Sequence, residues 1–148
     1  MSKKFHAALL FILMVPLVSQ AQSKCPLPEG MRASMQMTKE AIQARRSGHS
    51  KEMLESEIST AESQLPWAAV LMQSILNEIY STQETLEPDI HAAYRMEVCF
   101  LLDQHPDSEY FLDFEQAYPL LRECASDDKG LQTRCSMSVA HKISGIPE

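Results

Sequence analysis

Four glycines stand in the 148-residue sequence, and no two lie close enough to form a loop that cradles a phosphate. No G-x-S-x-G turn is present, so the sharp nucleophile turn of the α/β-hydrolases is absent. The histidines form neither H-x-x-H nor H-E-x-x-H, the spacings that bring two metal ligands onto one helix turn. The four cysteines form no C-x-x-C, which removes local support for thioredoxin-like redox chemistry. No alternating β-branched run argues for a strand. The one long apolar stretch, Ala7 to Val18, is too short to span a bilayer comfortably.

That apolar stretch follows Lys3 and Lys4 and is closed by Ser19-Gln20-Ala21. A basic start, a short apolar run and small residues at the cut define a secretory signal, with removal expected after Ala21. Lys24 precedes Cys25, so no small-residue lipobox marks that cysteine for lipidation. Residues 22–148 then form the mature chain, long enough for one helical domain. All twenty acidic residues fall in this part against eleven Lys and Arg, a formal net charge of −9 with histidine neutral. Such a surface disfavours nucleic acid and anionic membranes and suits a protein partner with a basic surface.

Proline and glycine divide the mature chain into helical segments. A first helix is expected from Met31 to Ser47, with Met31, Met35, Thr38 and Ile42 as its seam and Gly48 as its stop. Ser50 caps a second, with Leu54, Ile58, Ala61 and Leu65 inward. Pro66 opens a third through Trp67, Val70, Leu71, Ser74, Ile75, Leu76 and Ile79. This is the most apolar segment, so it is expected to hold the centre of the core, with Trp67 largely buried. Thr85 is the expected cap of a fourth helix lined by Ile90, Tyr94, Val98 and Leu101. Pro119 separates a helix over Ser108–Gln116 from another over Pro119–Cys124. After a DDKG loop, Leu131, Cys135 and Val139 recur at helical spacing up to Gly145.

The expectation is an all-α, compact, disulfide-braced bundle of about five to seven short helices. Cys25, Cys99, Cys124 and Cys135 lie in the exported part, and an even number there favours two disulfides. Three pairings are open to four cysteines. Cys25 with Cys99 and Cys124 with Cys135 is preferred, since the first ties the chain start to a central helix and the second staples a local hairpin.

GHSKEML (Gly48 to Leu54), Ile79-Tyr80, and Tyr94 shortly before Cys99 form a further pattern behind the N-terminal cysteine. On these residues the segment from Cys25 to Cys99 resembles a group of small, uncharacterised secreted helical proteins of proteobacteria. The resemblance implies pairing of Cys25 with Cys99 and brings no catalytic residues with it. From Phe100 onward, with the second cysteine pair, the chain departs from that pattern.

Three clusters bear on chemistry. Met31, Met35 and Met37 are soft ligands, yet Met37 lies about 200 degrees around a helix from Met35, so core packing is the expectation. Cys124, Cys135 and His141 have zinc-ligand chemistry, which a disulfide would remove. Glu52, Glu55 and Glu62, and the run Asp103-Gln104-His105, read as solvated or capping groups. No metal, cofactor or catalytic residue is therefore expected. What remains is an aromatic cluster, Tyr110, Phe111, Phe114 and Tyr118, set among carboxylates that include Asp113. Aromatics supply contact area and carboxylates steer a basic partner, so Tyr110, Phe111, Asp113, Phe114 and Tyr118 are the expected partner-binding residues. The function expected is an exported protein-binding domain, such as a periplasmic inhibitor, an immunity protein or an accessory subunit, without catalysis of its own and with homodimerisation open. The alternatives are a small periplasmic chaperone, a hydrolase, a soft-metal binder, or a carrier with a large apolar cavity between helices.

Overall fold

A computed structural model describes residues 24–61, 65–106 and 113–146, with the side chains of 59–61 excepted. The segment expected as a secretory signal, and the start of the expected Ser108–Gln116 helix, lie outside the described residues. Among those described, six helices and no strand occur: α1 (Glu29–Arg46), α2 (Lys51–Ala61), α3 (Pro66–Ser81), α4 (Pro88–Gln104), α5 (Phe114–Arg122) and α6 (Lys129–Ser144). The chain is an all-helical, disulfide-braced bundle. None of these helices is long and apolar enough to cross a membrane.

α4 is the axis. It packs against α1 on one side and α6 on the other, while α3 lies on α1, α2 on α3 and α5 on α6. Ile90, Tyr94, Val98 and Leu101 are buried toward α5 and α6, as their spacing indicates, together with Phe114, Ala117, Leu121 and Val139. A second cluster joins Ile42 of α1 to Leu71, Ile75, Leu76 and Ile79 of α3 and to Cys25 and Cys99. Ile75 is fully buried, but Trp67 is only partly so, because it sits in the first turn of α3 at the edge of the bundle.

The α1 seam differs from expectation. Gly30, Ser34, Thr38, Ala41 and Ile42 are buried, and Met31 and Met35 flank them. Small side chains win this face because they let two helix backbones approach closely. The buried hydroxyls are satisfied, Ser34 donating to the Arg95 carbonyl (3.0 Å) and Thr38 to the Ser34 carbonyl (2.7 Å). α6 is likewise rotated from its expected seam: Gln132, Ser136, Val139 and Ala140 are buried, while Leu131 is 53% exposed.

Caps explain most boundaries. Ser50 Oγ accepts from the Met53 amide, as expected at the start of α2. Asp113 accepts from the Glu115 amide and Asp128 from those of Gly130 and Leu131, so DDKG is a cap and first turn rather than a loop. Thr85 is not the cap of α4; Glu87 holds that place, and the Thr85 hydroxyl accepts from Arg46 Nε (3.0 Å). Arg45 and Arg46 do not serve α1 alone. Arg45 donates to the carbonyls of Ile79, Thr82 and Gln83, satisfying the end of α3 with a cation where the helix dipole favours one. Pro119 starts no new helix, since it lies inside α5. The cost of its missing amide is offset because Phe114, Ala117 and Leu121 anchor both ends of α5 in the core.

Both disulfides pair as preferred, Cys25 with Cys99 and Cys124 with Cys135. The first closes a sequence separation of 74 residues and the second one of 11. Gly30 makes the first feasible: a Cβ there would stand 2.8 Å from Cys25 Sγ and 2.9 Å from its carbonyl carbon. Unfolded-state loop entropy gives about 4 kcal/mol for the longer closure and about 3 kcal/mol for the shorter. The double variants Cys25→Ala/Cys99→Ala and Cys124→Ala/Cys135→Ala should lose stability in that order in urea unfolding; the reverse order would refute the ranking. Gly30→Ala should cost about 1–3 kcal/mol as overpacking, and an unchanged urea midpoint would show that the chain start relaxes freely.

Candidate functional site

Two features stand out from ordinary helix packing: a charged cluster inside the core and an apolar groove on its flank. The charged cluster joins α3 to α4. Glu78 Oε1 accepts from Arg95 Nη1 at 2.8 Å, and Glu78 Oε2 lies 3.0 Å from His91 Nε2. Arg95 Nη1 also reaches Ser74 Oγ at 3.3 Å. All three ionisable residues are buried, and the His91 ring stacks on Phe114, with centroids 4.9 Å apart and planes at 12°. Burial acts most strongly on the Glu78 carboxyl and pushes it upward. The Arg95 charge and the hydrogen bonds from His91 and Arg95 together outweigh burial and hold the group below the ordinary 4.5. Beside it, burial holds the Tyr94 phenol protonated well above its usual range, and among the described residues its hydroxyl meets no hydrogen-bond partner.

A second, partly buried pair ties α6 to α4, with His141 Nε2 2.7 Å from Glu97 Oε1. Ser138 shares a shallow hollow with this pair, but its hydroxyl donates to the Cys135 carbonyl at 3.0 Å. The other imidazole nitrogen of His141 is buried and meets no partner among the described residues. This arrangement therefore contains no bond from nucleophile to base, which a hydrolase would use. Cys124 and Cys135 are joined as a disulfide, and the described residues bring no three His, Cys, Asp or Glu side chains together around a common point.

The groove lies between α1, α2 and α3 and encloses about 310 Å³. Its floor is made of alanines, Ala41 and Ala44 on α1 and Ala68 and Ala69 on α3. Met37, Leu54, Ile58 and Met72 form the walls, and Glu40 and Glu57 add carboxylates from α1 and α2. Four short side chains, where neighbouring core positions carry Leu and Ile, are the reason for the void. α2 is held over α3 by Leu54 and Ile58, which pack on the core cluster, and by Glu55, which accepts from Gln73 of α3 at 2.6 Å and also pairs with Lys51 within α2 at 3.3 Å. The Gln73 hydrogen bond is the main cause holding the Glu55 carboxyl below its ordinary value. The turn into α2 is fixed by Tyr80, whose hydroxyl donates to the His49 carbonyl (2.6 Å) and whose ring lies 5.2 Å from the Arg45 guanidinium.

The aromatic residues expected to bind a partner do not gather here. Tyr110 and Phe111 lie outside the described residues. Phe114 is buried in the core and Asp113 caps α5. Tyr118 is half-buried, donates to the Glu84 carbonyl (3.0 Å), and lines a shallow polar hollow with Glu115 and Arg122. Of the three clustered methionines, Met37 lines the groove, and Met31 packs against the core cluster of α1 and α3. Sequence reasoning missed the groove because alanine pairs on separate helices carry no signal until those helices are packed. The recurrence of alanine at Ala41 and Ala44, and at Ala68 and Ala69, was its only trace. Compared with known protein families, curated proteins and solved structures, the chain matches none.

Glu78→Gln should lower stability by about 3–5 kcal/mol, because Arg95 is left buried without its counter-charge. The pH dependence follows from the depressed Glu78 carboxyl: its contribution is fully present above about 4.5 and is lost as pH falls through the folded-state value. Urea midpoints measured from pH 7 to pH 3 should fall less steeply at the acid end in Glu78→Gln than in the parent. Parallel curves would show that the carboxylate is not specially held. Tyr94→Phe removes an unpartnered hydroxyl and should leave stability unchanged or raise it by about 1 kcal/mol; a clear loss would place a hydrogen-bond partner on that oxygen.

Proposed function

We propose that the protein is an exported protein-binding domain without catalysis of its own, acting as an inhibitor or accessory subunit on a partner with a basic surface. The groove between α1, α2 and α3 carries this reading. Core packing ordinarily leaves few voids larger than a water molecule, and larger side chains at Ala44 or Ala69 would fill this one. A space kept open at a cost in stability is the usual mark of a binding surface. Glu40 and Glu57 beside it, in a mature chain of net charge −9, favour a basic partner. Export is supported by the N-terminal pattern of Lys3-Lys4, apolar run and Ser19-Gln20-Ala21, and by two disulfides, which persist in oxidising compartments. The hollow at Tyr118 and Glu115 belongs to the face expected from the sequence and would serve as a second contact.

A photo-crosslinking residue at Glu57, compared with one at Lys142 on α6, tests the assignment in cells producing the full chain. One dominant protein adduct is expected from position 57 only. Ala44→Leu should abolish it while raising stability by about 1 kcal/mol through filled volume. The same adducts from both positions, or none from position 57, would overturn the groove as the binding site.

A further inference from the structure

Resting on the reading of the groove as a protein-binding site, we infer that its occupant is a helical segment carrying two bulky apolar side chains one turn apart, with a lysine or arginine beside them. The volume sets the number of anchors. An apolar cavity of about 150 Å³ takes up one benzene ring, and the groove encloses about 310 Å³. That is room for two leucine- or phenylalanine-sized groups, the spacing that a helix presents at i and i+4.

The rim decides between a macromolecule and a small apolar ligand. Met53, one turn before Glu57 on α2, is 51% exposed, and Leu65, one turn before Ala68 and Ala69, is 52% exposed. Each stands one helical turn from a residue that lines the groove, one on α2 and one at the start of α3. A small ligand inside the groove would leave both in water, whereas a helix laid along it covers them.

Charge sets the flanking residue. Glu40 stands on α1 and Glu57 on α2, so carboxylates come from two of the helices that bound the groove. Both residues are exposed and neither has a cationic partner among the ion pairs of the described residues. Glu40 accepts only a neutral hydrogen bond, from Gln36 at 2.8 Å. A lysine or arginine next to the apolar anchors would meet these carboxylates, while an acidic residue there would be repelled. Met37 and Met72 adapt their unbranched thioethers to either aliphatic or aromatic anchors, as pliable helix-binding surfaces do.

The test uses the full, disulfide-intact chain labelled with carbon-13 at its methionine methyls. Three probes are titrated: an amphipathic peptide of about 14 residues built from leucine and lysine, the same peptide with glutamate in place of lysine, and dodecyltrimethylammonium. The leucine–lysine peptide should shift the Met37 and Met72 methyl signals to saturation and leave Met137, on α6, in place. Glu40→Gln/Glu57→Gln should weaken that binding roughly tenfold, and Ala44→Leu should remove it. Equal binding of the two peptides, or an equal response at Met137, would overturn the inference. Shifts with dodecyltrimethylammonium but not with peptide would also overturn it, and would make the groove a small-amphiphile site. If the peptide arm fails while the crosslink from position 57 persists, the partner class falls and the protein-binding reading stands. Loss of the crosslink itself removes that reading.

Discussion

The link between α3 and α4 depends on one carboxylate. Glu78 lies where water cannot share its charge, so its ionised form persists only while Arg95 and His91 are aimed at it. That requirement sets the rotation of α4. With Arg95 turned to α3, the Arg95 carbonyl receives Ser34 of α1, and Ile90, Tyr94, Val98 and Leu101 turn toward α5 and α6. His91 extends the network to α5 by stacking on Phe114. A hydrophobic interface of the same area would tolerate sliding, but charge pairs at hydrogen-bond distance do not.

Small residues do two opposite things in this fold. Where α1 meets α4, Gly30, Ser34 and Thr38 are used to close distance, and the space they free is taken up by backbone and by the Cys25–Cys99 bridge. Where α1 and α3 face α2, alanines free space that nothing fills. The difference lies in α2, whose Leu54 and Ile58 pack only partly buried against the α1–α3 cluster, and which is further held by the Glu55–Gln73 hydrogen bond and the pinned turn at Tyr80.

Much of the architecture was legible in the chain. Most helix boundaries follow from proline and glycine punctuation, and the α4 seam and the buried Ile75 follow from periodicity. The preferred disulfides follow from an even cysteine count and from which helices they would join. Local errors have a common cause. Thr85 reads as the cap of α4, but Arg46 claims its hydroxyl, and the packing of α6 on α4 turns Gln132 and Ser136 inward and leaves Leu131 exposed. Pro119 reads as a break, yet the anchors on either side of it hold one helix together. In each case tertiary packing outweighed a local preference, worth up to about 3 kcal/mol for the proline and about 1 kcal/mol or less elsewhere.

The amino-acid order by itself determined the helical class, the cap at Ser50, and a negatively charged exterior, because these rest on neighbours within a turn or on composition alone. Only the tertiary structure decided that Glu78, His91 and Arg95 share one buried site, that Arg45 finishes α3, and that Ala41, Ala44, Ala68 and Ala69 face a common void. Charge burial and empty volume are properties of several helices at once, and no single segment of the chain encodes them.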